Sequence, residues 1–416
     1  MGKDNRDPGS ALSLQQTLSL YTPALILALG NGIIAPALPV YVRSFDVPFS
    51  VAALAIVLYQ AGSFVCAFPT GYLLDKIGRR PILLSGPIIL AISSLLIARS
   101  ETFEQLLLLR FIGGAAEQMW MLARLAVITD TAAVRQRGKQ ITWMTALNRV
   151  GDLGGPAFGG FLAAMFDVRI PFVVYGVIVF LAIVPSFFLV KETKPAATDH
   201  TKEGSATKSD WGVVLAALLT TQVMAFLVAQ FCANVARMGF QGGTIILYAA
   251  YAYEVGPQQL GLMASAAGLL SLPIVFSTGP IMDRFGRKKV MVPGFFLVGL
   301  MAFGLAATTV GPAPFPIFVA VYTLQLTAQS ITGGTMQVLG SDLAPPTARG
   351  RFFAVWRMIA NLASTVGPGM VAVLSDVASY AVAFGIIGVM GIAVSLLLAV
   401  VVRETVNARP PEPAAQ

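Results

Sequence analysis

The chain has 416 residues, of which 56% are hydrophobic and 12% are charged, and its formal net charge is +8. Soluble domains carry about 25% charged residues, so this composition excludes an ordinary soluble protein and indicates a surface that mostly faces lipid. Cys66 and Cys232 lie in apolar runs and the single histidine, His200, lies in a polar stretch. This pattern excludes a disulfide framework, a cysteine or histidine metal site and histidine-based catalysis, and we expect neither a cofactor nor enzymatic activity.

In chain order, the apolar runs predict an all-α integral membrane protein with twelve spans, because a spanning helix needs about 20 apolar residues. The first run is too long for the apolar core of a signal peptide, which has about 7–15 residues. Residues 241–256 are ambiguous and are interpreted as a possible extension of the seventh span. The predicted spans are 18–42, 50–74, 81–99, 103–129, 140–164, 171–190, 212–236, 257–280, 290–310, 314–340, 351–374 and 378–402.

The polar stretch between the sixth and seventh spans divides the chain into two bundles. The predicted organisation is a tail at 1–17, a six-helix bundle at 18–190, a loop at 191–211, a second six-helix bundle at 212–402 and a tail at 403–416.

Basic residues are distributed unevenly between the predicted loops. With both termini in the cytoplasm, cytoplasmic segments hold twenty of the 28 Lys and Arg residues, and the opposite face holds Arg43, Arg99, Arg169 and Arg237. This positive-inside asymmetry predicts that orientation and explains the basic charge without a nucleic-acid partner. The short loops suggest a bacterial cytoplasmic (inner) membrane.

Two sequence blocks recur. Residues 71–80, which contain Gly71, Asp75 and Gly78, match residues 279–288 at an offset of 208, and Asp130 matches Asp342 at an offset of 212. Such regular matches predict a duplicated six-helix unit in which both copies place the motif on the same side of the membrane.

The Gly-x-x-x-Asp-x-x-Gly-Arg signature after the second span, its copy after the eighth and the polar central loop resemble the major facilitator superfamily. The resemblance covers roughly residues 18–405 and implies two pseudo-symmetric six-helix bundles with a central site between them. Gly71 and Gly279 are small, so we expect helices to approach closely there. The resemblance also implies a cytoplasmic gate in which the motif carboxylates and arginines contact neighbouring helix ends. The alternative is a set of solvated charges that only fixes topology. The residues of this predicted gate are Gly71, Asp75, Gly78, Arg79, Arg80, Asp130, Gly279, Asp283, Arg287 and Asp342.

The fifth span carries a glycine strip with a proline. Gly151, Gly155 and Gly159 recur every four residues and are joined by Pro156 and Gly160. Small residues at this spacing allow close helix contact, and the proline can bend the helix. The pattern resembles the signature of antiporter branches of the superfamily, although Thr142 stands where that signature has another glycine. It favours efflux, whereas simple helix packing remains the alternative.

Charged residues inside spans are costly and usually functional. In the fourth span Arg110, Glu117 and Arg124 recur every seven residues, so they share one helix face. Burial raises the pKa of a carboxylic acid in general, whereas a nearby arginine lowers it. We therefore predict that Glu117 or Asp152 takes up and releases a proton, with a static buried ion-pair network as the alternative. The predicted central residues are Asn31, Arg110, Glu117, Arg124, Asn148, Arg149 and Asp152.

The spans of the second bundle contain no acid, and their polar residues are neutral. These side chains are predicted to face a substrate cavity, although packing or lipid contact is the alternative for the aromatics. The predicted cavity residues are Gln222, Phe226, Gln230, Asn234, Gln325, Gln329, Trp356 and Asn361.

Together these patterns indicate a secondary transporter that expels small amphipathic compounds or drugs in exchange for protons, by alternating access. Its expected partners are the substrate, protons and membrane lipids, and it is expected to function as a monomer. Two alternatives are an uptake transporter or facilitator of a small metabolite, and a non-transporting membrane sensor or scaffold.

Overall fold

The computed structural model describes residues 21–131, 150–151, 153–189, 219–241, 243–311, 313–332, 336, 339–340, 343 and 349–401. In these ranges the chain forms twelve helical segments that agree with the twelve predicted spans. They are α1 (Thr22–Arg43), α2 (Leu54–Ile77), α3 (Arg79–Ile97), α4 (Phe103–Thr131), α5 (described over Leu153–Met165), α6 (Ile170–Leu189), α7 (Thr221–Phe240), α8 (Pro257–Phe285), α9 (Arg287–Val310), α10 (Phe315–Thr332), α11 (Arg349–Val377) and α12 (Tyr380–Val400). A single helical turn, Phe49–Ala52, precedes α2.

Ten helices within the described residues are long and apolar enough to cross a membrane. Large apolar side chains stand exposed on their outer surfaces, including Phe188 and Phe276, as expected of a surface in contact with lipid. The protein is therefore a multi-pass membrane protein.

The seventh span is longer than predicted. It breaks at Gln241, and Gly243 adopts φ 98°, after which a helix resumes at Thr244–Ala252. The predicted end at residue 236 is too early, so Arg237 lies inside the span and its assignment to a loop was wrong. The ambiguous segment 241–256 is largely a helical continuation of α7.

The two halves repeat the same packing. Within the first half α1 packs on α6, α2 on α4, and α3 on α4 and α6; the corresponding pairs six helices further along, α7 with α12, α8 with α10, and α9 with α10 and α12, also pack together. The motif glycines adopt matching backbones, with φ 110° and ψ 172° at Gly78 and φ 97° and ψ 155° at Gly286. Because such conformations are accessible essentially to glycine alone, the duplicated motif is a duplicated structural turn.

The halves meet where α1 ends and α2 begins, which we call the closed end. Arg43 Nη1 donates to the carbonyl oxygen of Ala250 at 2.6 Å, and the Tyr251 hydroxyl donates to that of Val47 at 2.9 Å. The Phe49 ring lies 5.0 Å from the ring of Tyr380. The largest buried apolar cluster includes residues of both halves around this contact.

Candidate functional site

A hydrogen-bonded carboxylate lies at the centre of the first half. Glu117 on α4 accepts a hydrogen bond from Asn31 Nδ2 on α1 at 2.7 Å and another from the Tyr59 hydroxyl on α2 at 2.5 Å. Each carboxylate oxygen thus has a neutral donor. Within the described residues Glu117 forms no ion pair with Arg110 or Arg124, although the three share a helix face as predicted.

Tyr175 on α6 fixes the orientation of the Asn31 amide. Its hydroxyl donates to Asn31 Oδ1 at 3.1 Å, so Asn31 Nδ2 must point towards Glu117. Tyr175 is 1% exposed, which leaves its hydroxyl little freedom to bond elsewhere. The chain of bonds therefore links α6, α1, α4 and α2 through one carboxylate.

The two donors respond differently to a proton on Glu117. A side-chain amide nitrogen can only donate, whereas a tyrosine hydroxyl can donate or accept. A proton on Glu117 therefore fits on Oε2, where the Tyr59 hydroxyl reverses its role and accepts. The arrangement accommodates both protonation states with one hydroxyl rotation.

Arg110 and Arg124 are held by neutral groups. Arg110 Nε donates to the carbonyl oxygen of Ala55 at 3.0 Å, and its guanidinium lies 4.1 Å from the Tyr59 ring centroid. Arg124 is 7% exposed and stacks on Trp120, while its Nε has no hydrogen-bond partner among the described residues. The remaining predicted central residues, Asn148, Arg149 and Asp152, lie outside the described residues.

A cavity of about 370 Å³ lies between the two halves beside this network. Asn31, Tyr59 and Arg110 line it from the first half, and Arg237 and Gln329 line it from the second. Glu117 is therefore one hydrogen bond behind the cavity wall. We call this space the central cavity.

A second cavity, of about 640 Å³, adjoins the first. It is lined mainly by α7, α10 and α11, with Leu125 contributed by α4, and Arg237 and Gln329 line both spaces. Five of the predicted substrate-cavity residues line it: Gln230, Asn234, Gln329, Trp356 and Asn361.

Three other residues predicted for this cavity do not line either space. Gln222 lies near the start of α7, Phe226 is fully buried against Trp356, and Gln325 is 1% exposed. The sequence could not separate these residues from those that line the cavity, because i,i+4 spacing places each set on one helix face. Gln222, Phe226, Gln230 and Asn234 recur every four residues on α7, and Gln325 and Gln329 are four apart on α10.

The glycine strip of α5 makes the predicted close contacts. Cβ atoms built on Gly151, Gly155 and Gly159 would meet atoms of α1 within 3 Å. Gly160 faces the other way, where a Cβ would lie 2.4 Å from the Pro257 carbonyl oxygen on α8. The strip therefore packs α5 against α1, and Gly160 packs it against the second half.

A serine from the second half bridges the backbone of α5. The Ser265 hydroxyl on α8 accepts from the Ala157 N–H at 2.9 Å and donates to the Leu153 carbonyl oxygen at 2.6 Å. These two groups are partners in a regular helix, where N–H bonds to the fourth preceding carbonyl. The hydroxyl thus inserts into the ladder next to Pro156 and ties α5 to α8.

The predicted gate lies at the end opposite the closed end. Arg79 is buried and donates to the Leu74 carbonyl oxygen at 2.9 Å, and Arg80 donates to the Phe187 carbonyl oxygen at 2.8 Å. Gly71 was expected to permit close helix contact, but an added Cβ would meet nothing within 4 Å. That expectation is wrong for this conformation.

The predicted carboxylate contacts of the gate lie outside the described part of the chain. The side chains of Asp75, Asp130, Gly279 and Asp283 are not described, and neither is Asp342. The interpretation of these residues as a gate remains a prediction.

Tyr59 and Tyr175 are the functional candidates that sequence reasoning missed. Each is a single tyrosine inside an apolar run, at no motif position. A phenol in mid-span is a signal in itself, because a buried hydroxyl usually finds a hydrogen-bond partner.

Comparison with solved structures agrees with this architecture. A crystal structure of a D-xylose-proton symporter superposes with a TM-score of 0.78 at 17% identity and covers 95% of this chain and 99% of its own. An inward-open structure of the xylose transporter XylE from E. coli gives a TM-score of 0.72 at 17% identity, covering 92% and 96%. At these identities the likeness concerns the fold alone.

Sequence relatives are bacterial resistance proteins. The quinolone resistance protein NorA of Staphylococcus aureus (strain MRSA252) is 27% identical over 258 residues, which cover 61% of this chain and 64% of the relative. Multidrug resistance protein 2 of Bacillus subtilis (strain 168) is 22% identical over 294 residues, covering 68% and 71%. The chain thus matches somewhat less than two thirds of the NorA length. The family model of the Major Facilitator Superfamily matches residues 21–242 and 226–416, and the chain belongs to that superfamily.

Proposed function

We propose that this protein exports small amphipathic compounds in exchange for protons, by alternating access. The observation that supports this most directly is the Glu117 carboxylate, held by Asn31 and Tyr59 directly behind the wall of a cavity between the halves. The names of its relatives, which refer to quinolone and multidrug resistance, favour drug-like compounds as substrates. The protein acts as a transporter and not as an enzyme.

The proposed orientation places both termini in the cytoplasm of a bacterial cell, in the inner membrane. The closed end then faces the outside, and both cavities are reached from the cytoplasm. In the opposite state the gate residues near Asp75 and Asp283 close the cytoplasmic side. A monomer with two six-helix bundles, about 18–190 and 212–402, carries out the cycle.

Glu117 couples proton movement to substrate movement because its protonation changes the hydrogen bonds between helices. The carboxylate form accepts from Asn31 on α1 and from Tyr59 on α2, whereas the protonated form still accepts from Asn31 but donates to Tyr59. A proton that arrives from the central cavity therefore changes the hydrogen bond between α4 and α2. A substrate molecule in the second cavity favours the conformation in which Glu117 releases its proton.

The first test is transport into everted membrane vesicles, driven by a pH gradient, with a fluorescent quinolone as probe. We expect Glu117→Gln to reduce gradient-driven accumulation by about tenfold or more, because glutamine preserves the shape but carries no titrating proton. Glu104→Gln is the matched control, since Glu104 is exposed on the same helix. It is expected to transport like the parent protein.

Full gradient-driven accumulation by Glu117→Gln would contradict the coupling role. The direction of transport is tested separately in intact cells. An exporter lowers the cellular content of the probe relative to cells that lack the protein. An importer or facilitator raises it, and a non-transporting sensor leaves it unchanged.

A further inference from the structure

Like the central cavity, which Arg110 and Arg237 line, the second cavity has two arginines in its wall. Arg237 on α7 and Arg357 on α11 line it. The second half supplies only four acids between residues 221 and 377, namely Glu254, Asp283, Asp342 and Asp376. Glu254 follows the continuation of α7, Asp283 lies at the end of α8 and Asp376 lies at the end of α11, whereas Asp342 lies outside the described residues. Within the described part of the chain, the charged residues that line the second cavity are therefore all basic.

The polar atoms around the cavity include donors without partners. Among the described residues, Gln329 Nε2 and Trp356 Nε1 are buried and have no hydrogen-bond partner, and Gln230 Oε1 is an acceptor in the same condition. Gln230 and Gln329 are 8% and 5% exposed. Buried polar groups in native proteins are nearly always bonded, so these three side chains retain unused hydrogen-bonding capacity within the cavity wall.

Gln329 is held in place from its other side. Its Oε1 accepts from Gln241 Nε2 at 2.8 Å, and Gln241 Oε1 accepts from Arg237 Nε at 2.9 Å. This bond fixes the amide and leaves Nε2 unbonded within the cavity wall. The chain of three side chains also places positive charge where the two cavities join.

An aromatic wall lies beside these donors. The Trp356 ring is 5.7 Å from that of Phe353, and Phe295 and Met336 complete the apolar lining. Arg357 follows Trp356 directly, is exposed and has no bonded partner among the described residues. Because Trp356 and Arg357 line the same cavity, an aromatic ring and its attached acidic group can bind in one space, and a guanidinium pairs well with carboxylates.

We propose that the second cavity selects aromatic carboxylates, with the ring against Trp356 and Phe353 and the carboxylate at Arg357, in preference to lipophilic cations. This inference rests on the proposed transport function, since it assigns the substrate class of that function. Arg237 and Gln329 extend the positive, donor-rich surface towards the central cavity.

The test is equilibrium binding to the purified full-length protein in detergent, without a pH gradient. The probes are tritiated 2-naphthoate, its uncharged methyl ester and the cation 2-naphthylmethylammonium, which share one ring system. We expect the unmodified protein to bind the carboxylate at least about tenfold more tightly than the cation. We expect Arg357→Gln to weaken carboxylate binding by about tenfold and ester binding by less than about twofold.

Two further variants complete the design. Arg357→Lys retains the charge and is expected to recover most of the lost affinity. Arg99→Gln removes an exposed arginine far from the cavity and is expected to change nothing. Equal or tighter binding of the cation by the unmodified protein would overturn the proposal even if no variant folds. An equal effect of Arg357→Gln on acid and ester would also overturn it.

The outcome is distinguishable from a failure of the proposed function. Carboxylate selectivity with no effect of Glu117→Gln on transport would keep this inference and reject proton coupling at Glu117. Coupled transport of a cation without carboxylate selectivity would reject this inference and keep proton coupling at Glu117.

Discussion

At the scale of single residues, the central question is what keeps the Glu117 network in one arrangement. Tyr175 does not touch Glu117, but its hydroxyl holds the Asn31 amide in the orientation that donates to the carboxylate. We therefore expect Tyr175→Phe to reduce gradient-driven transport. A net hydrogen bond is worth about 1 kcal/mol, so the expected loss is about fivefold, measured as the initial rate in everted vesicles.

Tyr72→Phe is the matched control for this prediction, because Tyr72 is an exposed tyrosine on α2 outside the network. It is expected to transport normally. A positioning role also predicts that Tyr175→Phe alters the pH profile of transport, whereas mere loss of stability would lower the rate equally at every pH. Equal rates and pH profiles for the two variants would refute the role of Tyr175.

At the scale of helices, Gly261 and Gly71 differ in how closely they are packed, so replacing each by alanine is expected to have a different effect. A Cβ at Gly261 on α8 would lie 2.2 Å from the Pro156 carbonyl oxygen on α5, whereas a Cβ at Gly71 on α2 would meet nothing within 4 Å. Overpacking a tight contact costs about 1–3 kcal/mol, and alanine is otherwise the better helix former by up to about 1 kcal/mol. We expect Gly261→Ala to lower the Tm of the purified protein and Gly71→Ala to leave it unchanged or slightly raised.

The Gly71 variant also bears on the gate. If the end that carries Gly71 closes during transport, its added methyl group will slow transport without lowering the Tm. A Gly71→Ala protein with normal Tm and normal transport would argue that Gly71 makes no close contact in any state of the cycle. A lowered Tm for Gly71→Ala would contradict the open surroundings of this glycine.

The helices were the most predictable level of this molecule, and the reasons are physical. Long apolar runs and the repeated motif determined the twelve spans, because a helix is the only segment that satisfies its own backbone in lipid. The close contacts of Gly151, Gly155 and Gly159 followed from spacing alone. Arg237 was assigned to a loop because a charged residue inside a span resembles the end of that span. The break at Gly243 could not be predicted, because it does not change the apolar pattern.

The candidate site was predictable only in part, since periodicity identifies one helix face and not its neighbours. It placed Glu117 and Arg110 together on α4, but the partners Tyr59 and Tyr175 come from helices that carry no polar stripe. Likewise, Gln230 and Gln329 line the second cavity while Gln325, four residues before Gln329, does not. Both glutamines lie on one face of α10, so their spacing in the sequence does not show which of them reaches the cavity.

At the scale of the whole molecule, alternating access requires that the closed end can open at a modest energetic cost. Two hydrogen bonds, Arg43 to Ala250 and Tyr251 to Val47, cross it within the described residues, together with ring contacts of Phe49 with Tyr380 and Tyr251. The hydrogen bonds are worth about 1 kcal/mol each, so removing both shifts the balance by about 2 kcal/mol, roughly thirtyfold. We expect the double variant Arg43→Ala, Tyr251→Phe to populate a form in which this end is open.

Spin labels at Ser44 and Gln259, on a background without Cys66 and Cys232, measure the separation of the halves by pulsed dipolar spectroscopy. The parent protein should give one short distance and the variant an additional longer one. Arg169→Ala, which removes an exposed arginine that stacks on Tyr41 within the first half, should leave the distance distribution unchanged. A distribution in the double variant identical to that of the parent would mean that the aromatic contacts alone hold the end closed, and that the two hydrogen bonds contribute nothing to the balance between states.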